Sequence, residues 1–347
     1  MPSVLVAGAS GFAGALAAHL LWRHPEFELK TVTARADVGR RLDDLHPRHR
    51  VALVLEELDL DRHGDVDAAV VAYPHAAAAP VTAALRARGV RVVDLSADFR
   101  IADRGVYEAH YGEHGAPELL GHAAYGLTEL HRDAIAGSDL VANPGCFPTA
   151  ALLALAPLAR AGLIADVVID AKTGVSGAGR TPTETTHFSS AGENVTPYKV
   201  SSHRHTPEIE EQLAGLGAEV AVQFTPHLLP FDQGELVSCY VTPGQPVSPA
   251  RLAELYESAY DAEAFVELSA RPPGVREVRD TNICAIHAVT DQRTHKVLVF
   301  AALDNLYKGT SSQAVQNLNL MFGLPEAMGI GEPKVNAKTQ SQASQAR

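Results

Sequence analysis

The stretch Val4-Leu5-Val6-Ala7-Gly8-Ala9-Ser10-Gly11-Phe12-Ala13-Gly14 decides the fold. Four apolar residues make a buried strand, and the glycine-rich run after them opens into an Ala/Leu-rich helical stretch from Ala13 to Trp22. A turn of this kind between a strand and a helix is where a dinucleotide loop belongs. Glycines permit the tight turn, and the free N–H groups of the helix start meet a pyrophosphate. A glycine triplet alone also suits a merely structural turn; the strand before it and the helix after it tip the reading toward binding. Gly8, Ser10, Gly11, Phe12, Ala13 and Gly14 are therefore the loop's candidate cofactor residues.

Outward from this loop the alternation continues. Leu29 to Thr33, Ala68 to Ala72, Val90 to Val93 and Leu140 to Ala142 read as strands, with a helical stretch around Val81, Ala84 and Leu85. This order predicts a parallel sheet with right-handed crossovers. After a helix from about Thr149 to Arg160 the pattern changes to strands at Val167 to Ala171, Val220 to Phe224, Leu236 to Val241 and Val297 to Leu303, with longer polar connections. The fold class is α/β: a Rossmann-like parallel-sheet domain plus an α+β catalytic domain with a mixed or antiparallel sheet. The boundaries expected are 1–147 and 148–308, with a helix at Ser312 to Met321 and a polar tail over 334–347.

The second strand ends at Thr33-Ala34-Arg35, with no acid until Asp37. NAD sites usually place an acid there for the ribose 2′-hydroxyl, whereas a cation suits a 2′-phosphate. Arg35 thus points to NADP, against the plainer reading of a solvated surface arginine.

A net charge of -12 repels nucleic acid and anionic lipid, so neither is an expected partner. Cys146, Cys239 and Cys284 form neither a disulfide framework nor a CxxC metal pattern. No basic segment precedes Val4, and Pro157 and Arg160 interrupt the apolar stretch after Thr149, which is too short to span a bilayer. A soluble, cytoplasmic protein is expected.

Asn143-Pro144-Gly145-Cys146-Phe147-Pro148-Thr149 places a thiol where a strand ends and a helix begins. Helix-start N–H groups favour the thiolate, and with the Asn143 amide they form a candidate oxyanion site. A lone cysteine is more often a small core residue, but a core position has no need of this turn chemistry. Cys239 and Cys284 lie in strand-like runs and read as core. The proton-transfer partner is sought in Ser202-His203-Arg204-His205-Thr206-Pro207-Glu208. If that segment is extended, His203 and His205 point the same way and Arg204 the opposite way. A metal on His203, His205 and Glu208 lacks a further ligand at metal-site spacing, so none is expected. The loop Lys172 to Arg180 is a candidate phosphate site through its N–H groups and Arg180, against the reading of a flexible connection. Arg204 or Lys199 is a candidate for a substrate carboxylate.

Taken in order, GASGFAG at Gly8, DLSADFR at Asp94, YGLTEL at Tyr125, NPGCFPTA at Asn143, SGAGR at Ser176, HRHTPEI at His203 and DNLYKGTSSQAVQNLN at Asp304 resemble the N-acetyl-γ-glutamyl-phosphate reductases. These form the arginine-biosynthesis branch of the semialdehyde dehydrogenase superfamily, and the likeness runs over nearly the whole chain. The usual Tyr of this family is Phe here at Phe12 and Phe147, a change that keeps the ring. Asn143-Pro144 and Pro148-Thr149 favour this branch over the related aminoadipate-pathway reductases.

The resemblance implies a Cys146 nucleophile, a histidine acid/base with a lean to His203, NADPH as reductant, and a C-terminal helix (309–330) completing the cofactor domain. It also implies cofactor contacts from Ser176, Gly177 and Asn305, a substrate contact from Arg100, and a homodimer or homotetramer. The reaction implied is reduction of N-acetylglutamyl phosphate to its semialdehyde through a Cys146 thioester. Rivals are an aspartate-semialdehyde dehydrogenase, a non-catalytic nucleotide sensor, and a short-chain dehydrogenase. The last usually needs a Tyr-x-x-x-Lys pair, which does not occur in this chain.

Overall fold

A computed structural model describes residues 1–334; most of the polar tail expected over 334–347 lies outside the described residues. The first sheet takes β1 (Ser3–Ala7), β2 (Glu28–Thr33), β3 (Ala68–Val71), β4 (Arg91–Asp94), β5 (Ala124–Tyr125) and β6 (Leu140–Ala142). Their spatial order is β2-β1-β3-β4-β6-β5, and every neighbouring pair is parallel. Because the strands are parallel, their carboxyl ends share one edge. The Gly8 loop, the segment after Asp94 and the turn after Ala142 therefore meet there. The two-residue β5 was not foreseen; it is too short to leave a periodicity.

The second sheet takes β7 (Ile164–Thr173), β8 (Thr196–Pro197), β9 (Val222–Leu228), β10 (Glu235–Pro243), β11 (Val266–Leu268), β12 (Cys284–Thr290) and β13 (Val297–Leu303). Its order is β11-β12-β13-β10-β7-β9-β8. It is mixed: β7 with β9 and β11 with β12 are parallel, and the other neighbours are antiparallel.

The helix Cys146–Arg160 runs into the core of the second sheet, with every residue from Phe147 to Ala159 buried. Pro157 has no N–H, so the Leu153 carbonyl one turn earlier loses its helical donor. Tyr260 Oη donates to it at 2.5 Å, and Tyr256 Oη donates to Ala154 O at 2.6 Å. The helix that carries the cysteine is thereby fastened to the helix Pro249–Tyr260 despite its proline.

The helix Ser312–Met321 packs Ala314, Val315, Leu318 and Met321 into one core with Val4, Leu16 and Val93 of the first sheet's layer. Its polar side chains are also buried. Asn317 accepts from Thr128 Oγ1 at 3.0 Å and donates to Gly126 O at 2.8 Å and to Asn143 Oδ1 at 3.1 Å. Among the described residues no helix is long and apolar enough to cross a membrane.

Candidate active site

The glycine loop is shaped by contacts that exclude side chains. Gly8 has φ +92°, and a Cβ on it would lie 2.6 Å from Ala72 O; at Gly14 a Cβ would lie 2.3 Å from Gly8 O. Gly11 is different. Its nearest neighbour would be 3.8 Å away, leaving an open cradle at the start of the helix Phe12–Trp22, which has no side-chain cap. His46, not singled out from sequence, bonds Ser10 O through Nε2 at 3.0 Å and sets its ring edge-on to Phe12. Arg35 is exposed and holds its guanidinium 5.0 Å over the Tyr73 ring.

Arg180 stands apart from the expectation that it meets a substrate phosphate. It pairs with Asp37 in the loop after β2, which Arg40 also meets at 3.3 Å. Arg180 is absent from the lining of the large cleft, whereas Gly177 of the same loop lines it. Ser176 and Asn305, expected at the cofactor, are spent on the fold. Ser176 Oγ donates to Asp232 O at 2.7 Å, and Asn305 links Gly234 N (2.7 Å) to Ser176 Oγ (3.1 Å).

Cys146 begins its helix at the floor of a cleft of about 1040 Å³. The Phe147 N–H and the Arg100 guanidinium favour its thiolate. Burial and the neighbouring Glu235 carboxyl outweigh them and push the thiol well above its ordinary value. The Asn143 amide, expected at an oxyanion, is occupied: Nδ2 donates to Thr310 O at 3.0 Å and Oδ1 accepts from Asn317. Cys239 and Cys284 are buried in β10 and β12.

The histidine segment is not extended. Arg204 has helical torsions and His205 is the first residue of the helix His205–Gly215. The two imidazoles nevertheless come together, with centroids 4.8 Å apart, because the helix start turns them toward Phe147. His205 N–H donates to His203 Nδ1 at 3.1 Å. Burial, the neighbouring His205 and nearby cations hold His203 down at about 2; burial, Arg100 and Lys199 hold His205 at about 3. Both are neutral at pH 7, each with one donor and one acceptor nitrogen. The His205 ring lies against Gly145, where a Cβ would come within 2.6 Å of Nε2.

Glu208, one turn into that helix, ties the site together. Its Oε1 accepts from Gly145 N at 2.9 Å and from Tyr125 Oη at 2.8 Å, and Arg100 Nη1 reaches Oε2 at 3.4 Å. Arg100 also donates to Asn143 O and Leu95 O at 2.7 Å each, bracing the carboxyl ends of β4 and β6. Lys199 and Arg204 line the cleft, as do His75 and Tyr198, which sequence reading missed. Arg204 contacts the His75 ring nitrogens and sits 5.3 Å over Tyr111. Among the described residues no three His, Cys, Asp or Glu side chains are grouped so as to hold a metal ion.

Set against known proteins, residues 3–138 match the semialdehyde dehydrogenase NAD binding domain, and residues 146–305 match the semialdehyde dehydrogenase dimerisation domain. The chain is 47% identical over 344 residues to the N-acetyl-gamma-glutamyl-phosphate reductase of Desulforudis audaxviator, covering 96% of this chain and 99% of that one. The chain belongs to the N-acetyl-γ-glutamyl-phosphate reductase family. The family member of Moorella thermoacetica is 46% identical over 339 residues, covering 94% and 97% of the two chains. Family membership makes the chain an oxidoreductase. In fold it is similar to aspartate semialdehyde dehydrogenase II of Vibrio cholerae, with a TM-score of 0.71 at 19% identity, covering 93% of this chain and 98% of that one. Candida albicans aspartate semialdehyde dehydrogenase with NADP gives a TM-score of 0.68 at 14% identity, covering 93% and 98%.

Proposed function

We propose that this family member reduces N-acetyl-L-glutamyl 5-phosphate to N-acetyl-L-glutamate 5-semialdehyde with NADPH, releasing phosphate, as a step of arginine biosynthesis. The observation that carries the reading is the placement of Cys146 on the cleft floor with the His205 ring against its Gly145 turn. Relatives of that name at 46–47% identity over nearly the whole chain support the substrate.

In this reading the Cys146 sulfur attacks the γ-carbonyl and phosphate leaves, giving a thioester. The Phe147 N–H at the helix start stabilises negative charge beside the sulfur. The His203–His205 pair moves the proton at the acyl oxygen and at the departing phosphate, each neutral ring offering a donor and an acceptor. Their depressed proton affinity rises when a phosphate dianion enters, since an adjacent anion favours the imidazolium. Arg204 and Lys199 hold the α-carboxylate on the cleft wall, and Arg100 keeps the nucleophile turn in register.

NADP fits this chain through the cradle at Gly11 and the arginines near the end of β2. Gly8, Ser10, Phe12, Ala13 and Gly14 shape that cradle, and Arg35 with Arg180 meets the 2′-phosphate. Bound NADPH supplies the hydride that the thioester takes. We assign residues 1–147 with the segment 309–330, which carries the helix Ser312–Met321, to the cofactor domain and 148–308 to the catalytic and dimerisation domain. The working form is a cytoplasmic homodimer or homotetramer.

The test follows NADP reduction with N-acetylglutamate semialdehyde and phosphate. Turnover strictly dependent on phosphate or arsenate supports the proposal. Equal specificity constants for aspartate semialdehyde would overturn the substrate assignment and leave the thioester chemistry standing.

A further inference from the structure

Glu235 is the first residue of β10, in register with Thr173 of β7 and Leu303 of β13. It is fully buried, contributes nothing to the cleft lining, and neither carboxyl oxygen has a hydrogen-bond partner of ordinary geometry. A buried carboxyl without partners is costly, and such a group calls for an explanation in chemistry. The side chain that acts on it most strongly is the Cys146 thiol, and its carboxyl in turn acts on that thiol by charge. The neighbourhood is tight. A Cβ on Gly309 would lie 2.9 Å from Cys146 Cβ and 3.2 Å from Leu303 Cδ1, so the cysteine sits at the level of the strand end that pairs with Glu235.

We propose that Glu235 is the proton partner of Cys146, receiving the thiol proton as the acyl–sulfur bond forms and returning it when the sulfur is released. The proposal rests on the thioester reading above. The reacting form is the one with Glu235 ionised: on acylation the S–H bond breaks, its proton goes to a Glu235 carboxylate oxygen, the S–C bond forms and the C–O bond to phosphate breaks. The leaving phosphate takes its proton from the histidine pair, which regains one from solvent. When the reduced intermediate expels the sulfur, the Glu235 carboxylic acid reprotonates it, and both groups return to their starting states. No further oxidant or reductant is needed beyond the nicotinamide.

Proton affinity is closer on this side of the sulfur than on the other. Burial raises Glu235 to about 8 and pushes the Cys146 thiol up as well, while it holds the two histidines far down. The other titratable groups coupled to Glu235 are Asp304 after β13, Tyr198 on the cleft wall and Cys284 on β12. None of these is a cation, so proton sharing with Cys146 is the available way to limit the pair to one negative charge. Two such groups titrate as a unit in two steps.

The experiment measures iodoacetamide alkylation of Cys146 against pH in the full chain, alongside turnover, for wild type, Glu235→Gln and Cys146→Ala. The alanine variant shows that the alkylated thiol is Cys146. Wild type should titrate in two steps, the first near pH 8. Glu235→Gln should show one step, below the second step of wild type, because no carboxylate then opposes the thiolate, yet turn over at least tenfold slower. Faster alkylation with slower turnover is a pairing that simple misfolding does not produce. Wild-type turnover or an unshifted alkylation curve in Glu235→Gln overturns the proposal. If that variant does not fold, the wild-type curve decides: one step at an ordinary thiol value overturns it. Should Cys146→Ala itself keep turnover, the thioester reading fails; should only Glu235→Gln be silent, the proposal fails alone.

Discussion

The His205 imidazole is packed so closely on Gly145 that a methyl group there would come within 2.6 Å of its Nε2 and 3.0 Å of an Arg100 guanidinium nitrogen. Gly145 has φ -66°, which alanine also adopts, so the constraint is contact and not torsion. Gly145→Ala should therefore fold and bind dinucleotide while kcat falls on the order of a hundredfold, the usual consequence of misplacing a reacting group by about an ångström. Steady-state kinetics with a dinucleotide-binding titration check this; wild-type kcat would sink it.

Cys146→Ala should lower turnover by at least about a thousandfold, because no other nucleophile is offered to the acyl carbon. Burial of Cys239 and Cys284 prevents substitution of one thiol for another. NADPH affinity should stay within about twofold of wild type, since the Gly8 loop is formed by backbone contacts to Ala72 and Thr33. Fluorescence titration separates the two effects.

The two histidines should separate under substitution. His203 has its Nδ1 engaged by the His205 N–H, whereas the His205 Nδ1 is buried without a partner. The Asn variant of the residue that carries the proton should lose one limb of the pH–rate profile, and the other should mainly raise KM. Unchanged profiles in both variants would place the proton carrier elsewhere.

Preference for NADPH over NADH should depend on Arg35. A charge-assisted hydrogen bond contributes about 1.5–3 kcal/mol, so Arg35→Asp should cut the preference roughly tenfold or more. Arg180→Ala should act in the same direction, because Arg180 is held at Asp37 in the loop after β2 and not in the cleft. Loss of phosphate saturation with unchanged cofactor preference in Arg180→Ala would return it to the substrate.

Stability should carry opposing pH dependences. His203 and His205 are held neutral down to about 2 and 3, so between pH 6.5 and those values the unfolded chain binds more protons. Their stabilisation is present above pH 6.5 and is lost as pH falls, by about 1.4 kcal/mol per proton per pH unit. Glu235 is raised to about 8, so its contribution is full below pH 4.5 and is lost as pH rises through 8. Thermal melts should show His203→Gln losing less stability than wild type between pH 7 and 5, and Glu235→Gln losing less between pH 5 and 8. Parallel curves for wild type and variant would refute the corresponding assignment.

The parallel layer was legible because its signals are local. Apolar runs at Val4, Ala68 and Leu140 and the glycine turn at Gly8 each act within a few residues of themselves. Strand β13 and the helix Ser312–Met321 emerge at their expected bounds for the same reason. The short strands β5, β8 and β11 left no period to read. Glu235 did leave a trace, an acid at the head of a mostly apolar strand, but Cys146 is 89 residues away in the chain (235 − 146).

From the sequence alone came the fold class, the glycine loop after β1, the cysteine turn and the histidine segment. Each is a pattern of neighbours whose backbone requirements are met within one turn or strand. Only the tertiary structure decided that Arg180 meets Asp37, that the Asn143 amide serves the C-terminal helix, and that Glu208 clamps Gly145. It also brought Glu235 to the thiol and started a helix at His205, so that the histidine segment is not extended. These depend on which side chains the packing of two sheets brings together. Spacing along a chain does not encode that, because a contact across a hundred residues is set by the whole core and by no local period.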